Sequence, residues 1–98
     1  MSTEKITVLE TYYKQPGDVQ DYDIGFTAWL AALADTADSV TVTASTGITV
    51  DSYSLAGSVV KVWLSGGTAN QRYVVTAKVQ TVGGRAKEGE IAIKVIEV

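Results

Sequence analysis

The sequence predicts an all-β sandwich. Three observations carry that reading. Val, Ile and Thr supply 32 of the 98 residues, and β-branched side chains are stiff at their first torsion and pack well on a pleated surface. Short segments alternate apolar and polar residues and are separated by Gly-containing turns, the period of half-buried strands. Finally, 98 residues hold one core; two would each be too small to persist. Residues 1–98 therefore read as one domain of about seven strands with a short helical turn near residues 27–34.

The elements follow in order. Ile6-Thr7-Val8-Leu9 is β-prone, and residues 1–13 read as an N-terminal arm or an edge strand. Lys14-Gln15-Pro16-Gly17-Asp18 is a turn: Pro presets the backbone and Gly follows where positive φ is tolerated. In Asp21–Phe26, Tyr22, Ile24 and Phe26 share one face and Asp21, Asp23 and Gly25 the other. Trp29, Leu30 and Leu33 are then spaced for a helix, with Thr27 the expected N-cap. Eight residues are too few to stand alone, so this turn is expected to dock on the sandwich.

Val40, Val42 and Ala44 alternate with Ser39, Thr41 and Thr43, and Thr46-Gly47 turns the chain. Ile48 and Val50 face inward on the next strand, with Tyr53 a candidate for the same face. After Ala56-Gly57, Val60, Val62 and Leu64 alternate with Lys61, Trp63 and Ser65. Beyond Ser65-Gly66-Gly67-Thr68, the inward set is Tyr73, Val75, Ala77 and Val79. Val82-Gly83-Gly84-Arg85 is a hairpin turn, and Ile91, Ile93 and Val95 close the core. Tyr73 opens its strand where an immunoglobulin-like sandwich places a tyrosine corner, its hydroxyl bonded to the preceding connection.

Composition excludes most chemistry. With no His and no Cys, there is no Ser-His-Asp or Cys-His nucleophile and no usual zinc, Fe–S or haem ligand set. No disulfide braces the fold. No catalytic residue, metal ligand or cofactor is expected. A net charge of -3 and scattered Lys and Arg argue against nucleic acid. No apolar run is long enough to span a bilayer, and the N-terminus lacks the charged-then-apolar pattern of a secretory signal. A reducing cytosol is the expected place of synthesis.

What remains is surface. Trp63 shares a face with Lys61, opposite Val62 and Leu64. It either forms a contact surface or lies under the Lys61 stem or the helix around Trp29. Asp18, Asp21 and Asp23 read as a solvated acidic face or as turn caps, lacking the Gly-centred loop of a calcium motif. Asp21 with Asp23 is the one carboxylate pair an enzyme reading would need, and a domain this small offers it little cleft. Glu88 and Glu90 read as outward charges that discourage edge-to-edge aggregation.

Three stretches carry a family likeness. They are Lys14-Gln15-Pro16-Gly17-Asp18-Val19-Gln20-Asp21-Tyr22-Asp23-Ile24 with Phe26, Trp29 and Leu30; Val62-Trp63-Leu64-Ser65-Gly66-Gly67-Thr68-Ala69 running on to Tyr73-Val74-Val75-Thr76; and Thr81-Val82-Gly83-Gly84-Arg85 with Glu88-Gly89-Glu90-Ile91-Ala92-Ile93. Together they resemble the phage fiber-tail adaptor proteins across roughly residues 14–95. The resemblance implies a virion structural protein with an immunoglobulin-like sandwich in the tail region, made in the bacterial host cytoplasm and joining fibers to the tail. Its partners would be other tail proteins and fibers, and it would act as a homo-oligomer or multi-copy ring. Capsid decoration, a neck position and a carbohydrate or surface-adhesion module are the alternatives. The residues expected to make contacts are Trp63, Lys61, Ile6, Val8, Tyr12, Tyr13, Pro16 and Trp29.

Overall fold

The computed structural model of the chain describes residues 8–97. Seven strands and one helix follow in the order β1 (Val8–Lys14), β2 (Gln20–Gly25), α1 (Thr27–Leu33), β3 (Ala37–Ala44), β4 (Ile48–Ala56), β5 (Val59–Gly66), β6 (Arg72–Thr81) and β7 (Ala86–Val95). They form two sheets, β1-β7-β6-β3 and β2-β5-β4. All neighbours are antiparallel except β1 and β7. Strands two, five and four on one side, and three, six and seven on the other, reproduce the B-E-D and C-F-G sheets of an immunoglobulin sandwich. The fold is therefore an immunoglobulin-like β-sandwich, as expected.

Alternation builds the core. Tyr22 and Ile24 of β2, Val60, Val62 and Leu64 of β5, Tyr73, Val75, Ala77 and Val79 of β6, and Ile91, Ile93 and Val95 of β7 form one buried cluster with Phe26, Leu30 and Ile48. On β4 the period breaks: Val50 lies opposite Leu64, but Ser52 lies opposite Trp63. The bulge at Asp51 shifts the parity, so Tyr53 and Leu55 face the same way as Ile48 and Val50. Tyr53 stands at the rim and stays exposed.

The tyrosine corner is present. The Thr68 N–H donates to the Tyr73 hydroxyl at 2.8 Å. Two glycines make room for the ring. A Cβ at Gly47 would lie 2.9 Å from Tyr73 Cε1, and one at Gly67 would lie 2.7 Å from Val95 Cγ2 and 3.4 Å from Tyr73 Cε2. Both glycines hold positive φ, +110° and +95°, which other residues reach only with strain.

Of the two readings of the N-terminal segment, the edge strand fits: β1 (Val8–Lys14) lies at the edge of its sheet, and its pairing with β7 carries Tyr12 onto the core face opposite Ile93. Ile6 lies outside the described residues. Lys14, read as a turn residue, ends that strand as the largest fully buried side chain. Its ammonium donates to the carbonyls of Gln15 (2.8 Å), Pro16 (3.3 Å) and Gly66 (2.6 Å). That arrangement clamps the Pro16 turn to the end of β5. Burial lowers its pKa, against the attraction of Asp18 and Asp51.

Three further expectations are corrected. Phe26, not Thr27, is the N-cap of α1, and no side chain caps the helix; Thr27 instead hydrogen-bonds Ser58 through its hydroxyl. The helix therefore draws its stability from Leu30 in the core rather than from a cap. The strand bearing Glu88 and Glu90 is not an edge, since β7 is paired on both sides by β1 and β6. Glu88 lies opposite Lys78, and Glu90 accepts a bond from the Thr76 hydroxyl at 3.1 Å. Finally, α1 does not cover Trp63: Trp29 packs against the core, with the Lys87 ammonium of β7 5.8 Å above its ring.

Candidate interaction surface

The outer face of the three-stranded sheet is set by β5. Val60, Val62 and Leu64 point into the core, so Lys61 and Trp63 must point out. The register supplies their neighbours. Trp63 lies between Asp21 of β2 and Ser52 of β4; Lys61 lies between Asp23 and Ser54. Val19 precedes β2 with the parity of Asp21 and is 60% exposed. The centre of this face is thus a large ring among small polar side chains.

Lys61 organises the acidic pair. Its ammonium reaches Asp21 Oδ2 at 2.8 Å and Asp23 Oδ1 at 3.1 Å. Hydrogen bonding from Lys61 holds the Asp21 carboxyl below its usual range. The two aspartates, Asp21 foremost, raise Lys61 in turn. Asp18 is not part of this group: it closes the Pro16 turn by accepting from the Gln15 N–H at 3.1 Å. Of the two expected roles, capping fits Asp18, whereas Asp21 and Asp23 are salt-bridged. Exposed ion pairs of this kind contribute little to stability. They hold the Lys61 ammonium at the carboxylates, and Trp63 remains 41% exposed.

Magnitudes favour the ring as the anchor. A Trp side chain presents up to ~250 Å², so covering the exposed part would remove roughly 100 Å² of apolar surface, on the order of 2–3 kcal/mol. Large aromatic side chains that a partner can fully desolvate are the usual centres of binding energy.

The other candidate residues fall elsewhere. Tyr12 packs on Tyr22, ring centroids 5.0 Å apart, and Trp29 packs on the core. Tyr13 is exposed beside Lys94 on the outer face of the four-stranded sheet. Pro16 sits in the turn that Lys14 clamps, and Val8 pairs with Glu90 at the start of β1. The structure therefore brings together Trp63 and Lys61 alone among them. Sequence reading missed Val19 as their neighbour, although its spacing of two from Asp21 was visible. No small-molecule site emerges from the depression of about 320 Å³ between α1 and the β4–β5 turn. Its one charged lining group, Asp35, is already held by the N–H groups of Thr36 and Gly83 and by Arg85.

No curated protein matches the chain. The family described as podophage GP4 fiber-tail adaptor protein gp77 matches residues 14–94. That stretch begins at the clamping Lys14, runs from β2 to Lys94 of β7 and carries the whole outer face described above. The chain belongs to the podophage GP4 fiber-tail adaptor protein gp77 family.

Proposed function

We propose that this protein joins fibers to the phage tail through protein–protein contacts, without catalysis, and that the face around Trp63 is one of its contact surfaces. Family membership supports the adaptor role. The observation that carries the surface is the partly exposed Trp63 ring at the centre of the β2-β5-β4 face. Lys61, Asp21 and Asp23 would surround the anchor as a polar rim, where charges steer and orient a partner more than they bind it. Tyr13, Pro16, Val8 and Ile6 would contribute from the opposite sheet and the N-terminal end. Repetition around a symmetric tail would add weak single contacts into firm attachment.

A glycan-adhesion role would need two coplanar rings on one face. Trp63 points outward, Tyr53 lies on the core side of β4, Tyr12 packs on Tyr22, and Trp29 packs on the core. The test is Trp63→Ser in assembling particles. Fiber attachment should fall at a temperature where circular dichroism shows the variant folded. Normal attachment by a folded variant would refute the Trp63 surface.

A further inference from the structure

The four sheet edges are not equivalent. On one side of the sandwich lie β1 and β2, where the Tyr12 and Tyr22 rings meet. β1 carries Glu10 and β2 carries Asp21 and Asp23. On the other side lie β3 and β4, and β4 is broken by the bulge at Asp51. Charges and bulges of this kind blunt an edge against pairing.

β3 has neither along most of its length. Its register shift is confined to its start, between Ala37 and Ser39. From Ser39 to Ser45 it has no charged residue and no proline. Among the described residues no strand pairs with its outer edge.

The backbone there is free to pair. The Ser45 N–H donates to the Val74 carbonyl at 2.9 Å. By the alternation of an antiparallel ladder, Thr43 and Thr41 also turn their backbone groups toward β6. Val40, Val42 and Ala44 then present theirs to the open edge. The side chains of Val40 and Val42 face the core yet stay half-exposed.

The segment is also nearly palindromic. Ser39-Val40-Thr41-Val42-Thr43-Ala44-Ser45 reads almost alike in both directions from Val42. Antiparallel pairing about a two-fold axis sets a strand against its own reverse. That symmetry makes a second copy of this chain the fitting occupant. We propose that β3 pairs antiparallel with β3 of a second copy, Val42 opposite the partner's Val42, joining two four-stranded sheets into one. Val40 then faces the partner's Ala44 over the joined cores. Thr41 faces the partner's Thr43 on the outer surface, a favourable cross-strand pair. On β2 the same operation about Tyr22 would set Asp21 against the partner's Asp23. This pairing is independent of the Trp63 surface, which lies on the other sheet.

The experiment uses the full chain in sedimentation and light scattering from micromolar to millimolar concentration, with two double variants. Thr41→Glu with Thr43→Glu places carboxylates face to face across the axis. Thr41→Glu with Thr43→Lys places opposite charges there, and differs only in the sign at position 43. The wild-type chain should reach the dimer mass, and the first variant should weaken dimerisation more than about tenfold, with the second retaining it. Amide exchange on the wild-type chain gives a readout that needs no variant. Protection at Val40, Val42 and Ala44 should rise with concentration, whereas Thr41 and Thr43 should be protected throughout. A monomer at every concentration, equal association of both variants, or exchange at Val42 that ignores concentration would each overturn the pairing.

Discussion

Two tyrosines in one core show how a single hydroxyl changes sign with its surroundings. Tyr73 and Tyr22 are equally buried, each 6% exposed. The Tyr73 hydroxyl takes the Thr68 N–H, whereas Tyr22 Oη has no hydrogen-bond partner among the described residues. Removing a satisfied partner strands the other, and removing an unsatisfied group relieves it. Tyr73→Phe should therefore destabilise by about 1–2 kcal/mol, and Tyr22→Phe should be neutral or stabilising by up to ~1 kcal/mol, in denaturant unfolding. Asp35 provides a second test. Hydrogen bonding from Thr81, then from the Thr36 N–H, Arg85 and the Gly83 N–H, holds its carboxyl down from 3.8 to about 2. A carboxyl depressed by folding stabilises the fold above its unfolded value. That contribution drains as pH falls from about 4 to about 2. Thermal melts across that window should steepen for the wild-type protein, and Asp35→Asn should flatten the slope while lowering the melting temperature at neutral pH.

At the level of the element, turns are as specified as strands. Gly67 combines φ +95° with Val95 Cγ2 2.7 Å from where a Cβ would stand. Gly67→Ala should cost on the order of 1–3 kcal/mol, measured by denaturant unfolding, because both the backbone and the end of β7 must shift. Strand faces were legible in the sequence because period-two alternation is local: the inward sets of β2, β5, β6 and β7 follow directly from it. The outward direction of Trp63 was legible for the same reason. Partners were not. That Lys61 meets Asp21 and Asp23 depends on a register between segments 40 and 38 residues apart. The Asp35–Arg85 pair spans 50 residues, and the long-range partner of buried Lys14 is the Gly66 carbonyl, 52 positions away. The edge reading of Glu88 and Glu90 failed likewise: nothing near them announces that β1 will add beside β7. For Trp29, helical spacing revealed an inward side but not which sheet it meets.

The whole molecule is a slab, 43 × 31 × 19 Å, so its two broad faces dominate what a neighbour can touch. They differ in kind. The four-stranded face carries Thr41, Thr43, Thr76, Lys78, Glu88 and Glu90, with the exposed Tyr13 at its β1 edge, whereas the three-stranded face is centred on Trp63. Because more than half of the Trp63 side chain is already covered by its neighbours on the sheet, Trp63→Ser should lower folding stability by on the order of 1–3 kcal/mol in a denaturant titration. A loss of fiber attachment at a temperature where the variant is still folded then reports a lost contact and not a lost fold. The parallel pairing of β1 with β7 has a mechanical consequence. The start of β1 and the end of β7 lie toward opposite ends of one ladder, which runs from Val8 beside Glu90 to Lys14 beside Val95. Tension between those two points slides the strands along each other, so their backbone bonds resist together instead of unzipping singly.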